Sequence, residues 1–119
     1  MEKKKVGVLG EKIALALLRS NGYRVLEKNF YTKFGEIDIV AQDKETLVFV
    51  EVKTRHSRAF GLPEESVNKR KLRHLEKAGQ IFRSSQVGLP ESERIDVVSI
   101  ELDQNHQVVR KELIKNASQ

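Results

Sequence analysis

The chain has 119 residues and no cysteine, so its length allows one domain, and a disulfide scaffold or a thiolate zinc site is excluded. With 39% hydrophobic and 33% charged residues, the composition is that of a globular protein rather than a disordered one. The longest apolar run, residues 13–18, is too short to span a bilayer. We therefore expect a single domain over residues 1–119, cytoplasmic and without membrane contact.

The spacing of apolar residues predicts seven elements in the order α-β-β-β-α-β-β. A helix over residues 6–20 precedes three strands, which cover residues 23–32, 36–41 and 47–54. A loop over residues 55–63 leads to a second helix with an apolar stripe, and strands over 94–102 and 108–114 follow. We expect an α/β fold, a mixed central sheet flanked by helices, with a frayed tail at residues 115–119.

The second and third strands carry the acidic residues from which a function can be argued. If they form a hairpin with a turn at residues 43–46, Asp38 lies opposite Glu51 and Glu36 lies opposite Lys53. The alternation of side chains supports this arrangement, because one face of the hairpin is then wholly apolar. That face comprises Ile37, Ile39, Ala41, Val48, Val50 and Val52. Asp38, Glu51 and Lys53 share the opposite face.

Two carboxylates placed as cross-strand neighbours repel each other, and a hard divalent cation removes that repulsion. Mg²⁺ takes one or two carboxylates and keeps several waters. Lys53, two residues beyond Glu51, can orient or deprotonate a water activated by Mg²⁺ or Mn²⁺, or offset charge on a phosphate. The pattern predicts phosphodiester hydrolysis. The alternative is a solvated strand face on which Lys53 pairs with Glu36 or Asp38.

Residues 53–83 contain nine basic and three acidic residues in a chain of net charge +5. Such a segment is typical of a surface that binds a polyanion, although a solvated helix face gives the same pattern. The candidate contacts with nucleic acid are Arg55, Arg58, Lys69, Arg70, Lys71, Arg73 and Lys77. Because only 6% of the residues are aromatic, we expect recognition of the phosphate backbone and of shape rather than base stacking.

Four segments together resemble the bacterial YraN-like family. They are Gly10-Glu11, Gly35-Glu36-Ile37-Asp38-Ile39-Val40, Phe49-Val50-Glu51-Val52-Lys53-Thr54-Arg55 and Phe60-Gly61. The resemblance covers about residues 6–102 and implies the restriction-endonuclease-like superfamily, with similarity to archaeal Holliday junction resolvases. It also implies a core of helix, three-stranded meander, helix and further strand. The site that it implies comprises Asp38, Glu51 and Lys53, with Glu11 as an upstream helical acid.

The residues and the resemblance together lead to the hypothesis of a Mg²⁺- or Mn²⁺-dependent endonuclease that acts on DNA, including branched or junction DNA. Asp38 and Glu51 would hold the cation with the Val52 carbonyl and waters, and Glu11 would contribute directly or through water. Because a junction resolvase cuts two strands symmetrically, analogy suggests a homodimer. The alternative hypothesis is a non-catalytic nucleic-acid-binding module on the same fold.

Overall fold

The computed structural model describes residues 2–59 and 61–118, and its elements follow the predicted order with one addition. The elements are α1 (Glu2–Ser20), β1 (Arg24–Thr32), β2 (Gly35–Asp43), β3 (Thr46–Arg55), α2 (Lys69–Ser84), β4 (Ser92–Leu102) and β5 (Val108–Ile114). The addition is a single 3-10 turn, Pro63–Ser66, between β3 and α2. Phe60 of the Phe60-Gly61 motif and Gln119 of the tail lie outside the described residues.

The five strands form one mixed sheet in the order β1-β2-β3-β4-β5. Neighbouring strands are antiparallel except for β3 and β4, which are parallel. A parallel pair needs a long crossover connection, and the 3-10 turn with α2 supplies it. The predicted α/β class, a mixed sheet flanked by helices, is confirmed.

One helix covers each face of the sheet. The apolar residues of the hairpin beneath α1 are Ile39, Ala41, Val48 and Val50, with Val52 partly buried against them. Those beneath α2 are Ile37, Val40, Leu47 and Phe49. Both faces of the hairpin are therefore core, and its charged residues lie toward its two ends: Asp43, Lys44 and Glu45 at the turn, and Glu36, Asp38, Glu51, Lys53 and Arg55 at the opposite end.

α1 begins at Glu2, four residues before the predicted start. The reason is that the lysine-rich segment, residues 3–5, consists of good helix formers and continues the helix toward the N-terminus. Within the described ranges, no helix combines the length and apolar character needed to cross a bilayer.

The C-terminal tail is hydrogen-bonded to β4 instead of frayed. The N–H of Asn116 donates to a buried carboxylate oxygen of Asp96 at 3.0 Å, and the N–H of Ala117 donates to the carbonyl of Ile95 at 2.7 Å. Asp96 also accepts a hydrogen bond from the hydroxyl of Tyr23 at 2.6 Å. The fraying prediction is wrong for these residues, because a fully buried carboxylate needs donors and the tail supplies one.

Candidate active site

The predicted acidic residues lie where the regular pairing between β2 and β3 ends. The register is the predicted one, and its last pair at this end is Ile39 with Val50. Beyond that pair, a carboxylate oxygen of Asp38 accepts a hydrogen bond of 2.8 Å from the backbone N–H of Val52. A side chain therefore takes the position that a backbone carbonyl would occupy in a continued ladder.

The alternation of β2 breaks at Asp38, which corrects the predicted arrangement of faces. Ile39 packs beneath α1, whereas Ile37 packs beneath α2 with Phe49. Side chains two residues apart in a regular strand point to the same face, so the backbone between these two is irregular. The prediction that Ile37 shares a face with Ile39 is wrong for this reason. Asp38 lies at the break, between Ile37 and Ile39.

Glu51 is a buried carboxylate, with 3% of its surface exposed. Its Oε2 lies 3.5 Å from the Nζ of Lys53 and 3.3 Å from the Nζ of Lys71. Its Oε1 is buried and has no hydrogen-bond partner among the described residues. Because such an oxygen costs free energy, it marks a position where a donor or a cation would be stabilising.

Glu51 lies close enough to Asp38 to influence the ionisation of Asp38. Burial, and next to it the negative charge of Glu51, raise the pKa of Asp38 well above its usual range. The hydrogen bond from the N–H of Val52 acts in the opposite direction without offsetting these effects. A nearby cation would favour the charged form of Asp38. The structure thus brings the predicted carboxylate pair together.

Lys53 does not make the ion pair that a solvated strand face would require. Among the described residues, its ammonium pairs with Glu51 and not with Glu36 or Asp38. Glu36 instead faces its cross-strand neighbour Tyr31, and the proximity of the carboxylate raises the pKa of that phenol. Lys53 therefore lies against the carboxylate that the sequence assigns to the site.

Glu11 approaches the site from α1. Its Oε2 accepts a hydrogen bond of 3.2 Å from the Nδ2 of Asn29 in β1. Asn29 has a φ of 52°, a left-handed conformation that asparagine tolerates better than most residues. Gly10 allows α1 to approach β3, because a Cβ at this position would overlap the hydroxyl of Thr54. Asn29 is absent from the sequence-based site, although an asparagine within a strand pattern was an available signal.

A cleft of about 680 Å³ lies beside these residues. Among the described residues, the acids that line it are Glu11, Glu36 and Asp38, and the cations are Lys4, Lys53 and Arg55. A cleft lined by both acids and cations suits a phosphate ligand that binds together with a metal ion, because the acids can contact the metal ion and the cations can contact the phosphate. Lys4 was not among the predicted contacts, because it precedes the basic segment on which that prediction was based.

Several of the residues predicted to contact nucleic acid are available at the surface. Arg55 lines the cleft. The ammonium of Lys77 lies 5.3 Å from the ring centroid of Phe34, at the surface of α2. The exposed cations near the start of α2 are Lys69, Arg70 and Arg73. Their role in nucleic-acid binding stays a prediction.

Two other predicted contacts are engaged with acids of the protein. Arg58 donates two hydrogen bonds, of 2.7 and 3.0 Å, to the carboxylate of Glu101. Lys71 reaches Glu51 across the interface between α2 and β3. The sequence could not reveal this second pair, since its members are twenty positions apart and lie on different elements.

A metal ion at this site would rely on few protein ligands. Within residues 2–59 and 61–118, no three histidine or acidic side chains converge in an arrangement that would hold a metal ion. Asp38 and Glu51 provide two carboxylates, and one buried oxygen of Glu51 has no partner in the part of the chain that the structure describes. Because Mg²⁺ binds to one or two carboxylates and keeps several waters, this donor set fits that type of cation.

Comparison with other proteins gives the same family repeatedly. The sequence model of the uncharacterised protein family UPF0102 matches residues 10–100, which include Glu11, Asp38, Glu51 and Lys53. A UPF0102 protein of Caldicellulosiruptor bescii is 44% identical over 118 residues, covering 98% of this chain and 99% of the relative. A UPF0102 protein of Moorella thermoacetica is 44% identical over 117 residues, 98% of each chain. One of Caldicellulosiruptor saccharolyticus is 41% identical over 117 residues, 98% of this chain and 99% of the relative.

Proposed function

This chain belongs to the UPF0102 family, and we propose that it is a divalent-cation-dependent endonuclease that hydrolyses phosphodiester bonds in DNA. The observation that carries the proposal is the acidic pair at the end of the β2–β3 ladder. The charge of Glu51 raises the pKa of Asp38. One oxygen of Glu51 lacks a partner among the described residues, and the Nζ of Lys53 lies 3.5 Å from the other. Two carboxylates and a lysine next to a cleft with basic residues suit hydrolysis of a phosphodiester.

We assign the chain to the restriction-endonuclease-like superfamily as part of the same proposal. Two features support this assignment besides the motifs of the sequence. The first is the order of a helix, a three-stranded meander, a second helix and a strand parallel to β3. The second is the position of the acids at the end of the central hairpin, where α1 brings Glu11 toward them.

Asp38 and Glu51 would hold Mg²⁺ or Mn²⁺, with the Val52 carbonyl and waters as further ligands and with Glu11 contributing directly or through water. A cation bound in this way polarises a phosphate oxygen and lowers the pKa of a water molecule. The hydrogen bond from the N–H of Val52 holds the Asp38 carboxylate in a fixed position, so little reorganisation is needed on binding.

Lys53 would act on the attacking water or on the phosphate. It extends from β3, the strand that also carries Glu51, and it lines the cleft. From this position the ammonium can orient the water or stabilise the negative charge that develops on the phosphate, whereas accepting a proton from the water would require the neutral amine. An ammonium cannot ligate a metal ion, so its role is distinct from that of the two acids.

The DNA would be held through its backbone by Arg55 in the cleft and by the exposed cations of α2. We propose branched or junction DNA as the preferred substrate. Symmetric cutting of two strands in such DNA would need two copies of the site, which a homodimer provides.

One observation favours a second candidate, a non-catalytic nucleic-acid-binding module. Lys53 and Lys71 together neutralise the charge of Glu51 without any metal ion. A protein that had lost its cation could keep this arrangement and still bind DNA through its basic surface.

The two candidates differ in cation-dependent nicking. Branched, nicked and linear DNA are incubated with the purified protein and Mg²⁺ or Mn²⁺, and products are resolved on denaturing gels. Asp38→Asn keeps an oxygen that can accept from Val52 but removes the charge. Glu45→Gln is the matched control, since Glu45 is an exposed acid in the turn of the same hairpin.

We expect the wild type and Glu45→Gln to cut at equal rates, and Asp38→Asn to be slower by about 10²-fold or more. If Asp38→Asn cuts DNA at the wild-type rate, the proposed site is wrong. DNA binding without cutting of any substrate in either metal would favour the non-catalytic module.

A further inference from the structure

Lys71 is a residue of the candidate site rather than a simple surface cation. Its Nζ lies 3.3 Å from the Oε2 of Glu51, slightly closer than the Nζ of Lys53 at 3.5 Å. It extends from the first turn of α2, where the side chain of Asn68 caps the helix by accepting from the backbone N–H of Lys71. The backbone of Lys71 is thus fixed while its ammonium is held by Glu51.

The two lysines share one oxygen of Glu51, and the other oxygen has no partner among the described residues. The two ammonium groups already neutralise the carboxylate of Glu51. A divalent cation bound to the same carboxylate would add two further positive charges beside them. At such distances the repulsion between cation and ammonium is strong in a partly buried site. One of the ammonium groups must therefore move away when a cation binds.

Lys71 is the lysine that can leave. Lys53 is two residues from Glu51 on the same strand, so its side chain stays beside the carboxylate. Lys71 belongs to another element, its side chain is 34% exposed, and its neighbours Lys69 and Arg70 face solvent. Rotation of its flexible four-carbon chain is enough to place the ammonium outside the site.

We propose that Lys71 is a displaceable counter-ion of Glu51. It neutralises the buried carboxylate while no cation is bound, and it gives up this position to the divalent cation. Its ammonium then becomes available to a DNA phosphate beside the start of α2. This inference rests on the proposed function, and it makes cation binding and phosphate binding mutually favourable through one side chain.

The direct test is the affinity for Mn²⁺ alone, measured by isothermal titration calorimetry without DNA. Lys71→Met removes the competing charge but keeps most of the aliphatic chain, and we expect it to bind Mn²⁺ about tenfold more tightly than the wild type. Lys69→Met is the matched control, because it removes an exposed lysine of the same helix turn and should leave the affinity unchanged. Lys71→Arg retains the charge and should remain close to the wild type.

The second test is the salt dependence of DNA binding, measured by fluorescence anisotropy with Ca²⁺ or with EDTA. In the wild type, Ca²⁺ should steepen the slope of log affinity against log salt by about one unit, the equivalent of one added phosphate contact. Lys71→Met should give the same slope with Ca²⁺ as with EDTA. Lys69→Met should still give a steeper slope with Ca²⁺ than with EDTA.

Equal or weaker Mn²⁺ binding by Lys71→Met would overturn the proposal, as would a wild type that does not bind Mn²⁺ at all. The latter result would remove the metal site and the proposed function with it. Tighter Mn²⁺ binding by Lys71→Met, in a protein that never cuts DNA, would instead support the exchange of Lys71 while the nuclease function fails.

Discussion

At the scale of single residues, Lys53 and Lys71 contact the same carboxylate oxygen but differ in what holds them there. Lys53 is kept in the site by its own strand, so in the proposed function its ammonium would remain beside Glu51 when a cation binds. Measuring Mn²⁺ binding, DNA binding and cleavage on the same variants distinguishes the proposed role of a fixed lysine, Lys53, from that of a displaceable one, Lys71.

We predict that Lys53→Met retains Mn²⁺ binding and loses DNA affinity by no more than about one phosphate contact. Its cleavage rate should fall by about 10²–10⁴-fold, because a group that orients or deprotonates the water is missing. Lys53→Arg should recover DNA binding but not the rate, since arginine stays protonated and has a different shape. Nicking by Lys53→Met at the wild-type rate would show that Lys53 has no chemical role.

Asp38 should make the protein less stable when no cation is present. Its carboxylate is buried next to Glu51, so we predict that Asp38→Asn raises the melting temperature in EDTA by about 3 °C or more. With Mn²⁺ at about 100 times its dissociation constant, the wild type should gain about 2.7 kcal/mol and Asp38→Asn little. Thermal unfolding with and without Mn²⁺ measures both effects, with Glu45→Gln as the control. An equal response to Mn²⁺ in all three proteins would refute the metal site.

At the scale of elements, the contact between α1 and β3 sets the position of Glu11. Gly10 has no space for a Cβ because of Thr54, whereas Gly7 on the same helix has nothing within 4 Å of an added Cβ. We predict that Gly10→Ala destabilises the protein by about 1–3 kcal/mol and weakens cleavage by moving Glu11. Gly7→Ala, the matched control, should stabilise α1 by up to about 1 kcal/mol. Urea unfolding of both variants checks the opposite signs, and destabilisation by both would contradict the packing argument.

The 3-10 turn is tied to the sheet through Glu64. Its carboxylate accepts hydrogen bonds of 2.7 and 3.0 Å from Arg110 in β5 and one of 2.6 Å from the hydroxyl of Ser99 in β4. The hydrogen bonds from Arg110 are the main reason that the pKa of Glu64 is lowered to about 2 from an ordinary value of 4.5. A carboxylate with a lowered pKa contributes stability above its unfolded pKa, and this contribution is lost as the pH falls through the folded value.

We therefore predict that Glu64→Gln destabilises the protein by about 1–2 kcal/mol at pH 7. The difference from the wild type should shrink as the pH falls from about 4.5 and should be nearly absent close to pH 2. Denaturant unfolding across this range measures the effect. Glu76→Gln, which changes an exposed glutamate of α2, should show no comparable difference at any pH. A constant deficit of Glu64→Gln down to pH 2 would contradict the role of Arg110.

At the scale of the whole molecule, the fold was largely predictable because its elements have clear apolar periodicity. The bounds of β5 and the register of the β2–β3 hairpin agree with the prediction. The hydrogen-bonded tail was not predictable, since the attachment depends on Asp96, whose burial becomes visible only when β4 lies between β3 and β5.

The candidate site was predictable in composition but not in geometry. The grouping of Asp38, Glu51 and Lys53 was predicted from the alternation of side chains along one hairpin, which can be read directly from the sequence. The break at Asp38 was hidden, because Ile37 and Ile39 have the same side chain but pack beneath different helices. The contact of Lys71 with Glu51 was also hidden, since it depends on how the crossover places α2 on the sheet.

At the same scale, the proposed binding of DNA should depend on the exposed cations of α2 and not on the overall charge alone. If about four to six phosphates are neutralised, log affinity should fall with log salt with a slope of about −4 to −5. Lys69→Glu combined with Arg73→Glu reverses two exposed cations of α2, and should weaken binding to all sequences and flatten the slope by about two units.

The charge-matched control is Lys28→Glu combined with Lys111→Glu, two exposed lysines on the outer strands β1 and β5. Both double variants reduce the net charge of +5 by the same amount. Because contact ions are released only where phosphates touch the protein, the control should keep the wild-type slope and lose little affinity. Equal losses in both variants would show that only the overall charge matters. An unchanged slope in the α2 variant would place the binding surface elsewhere, with Lys4 and Arg55 of the cleft as the next residues to test.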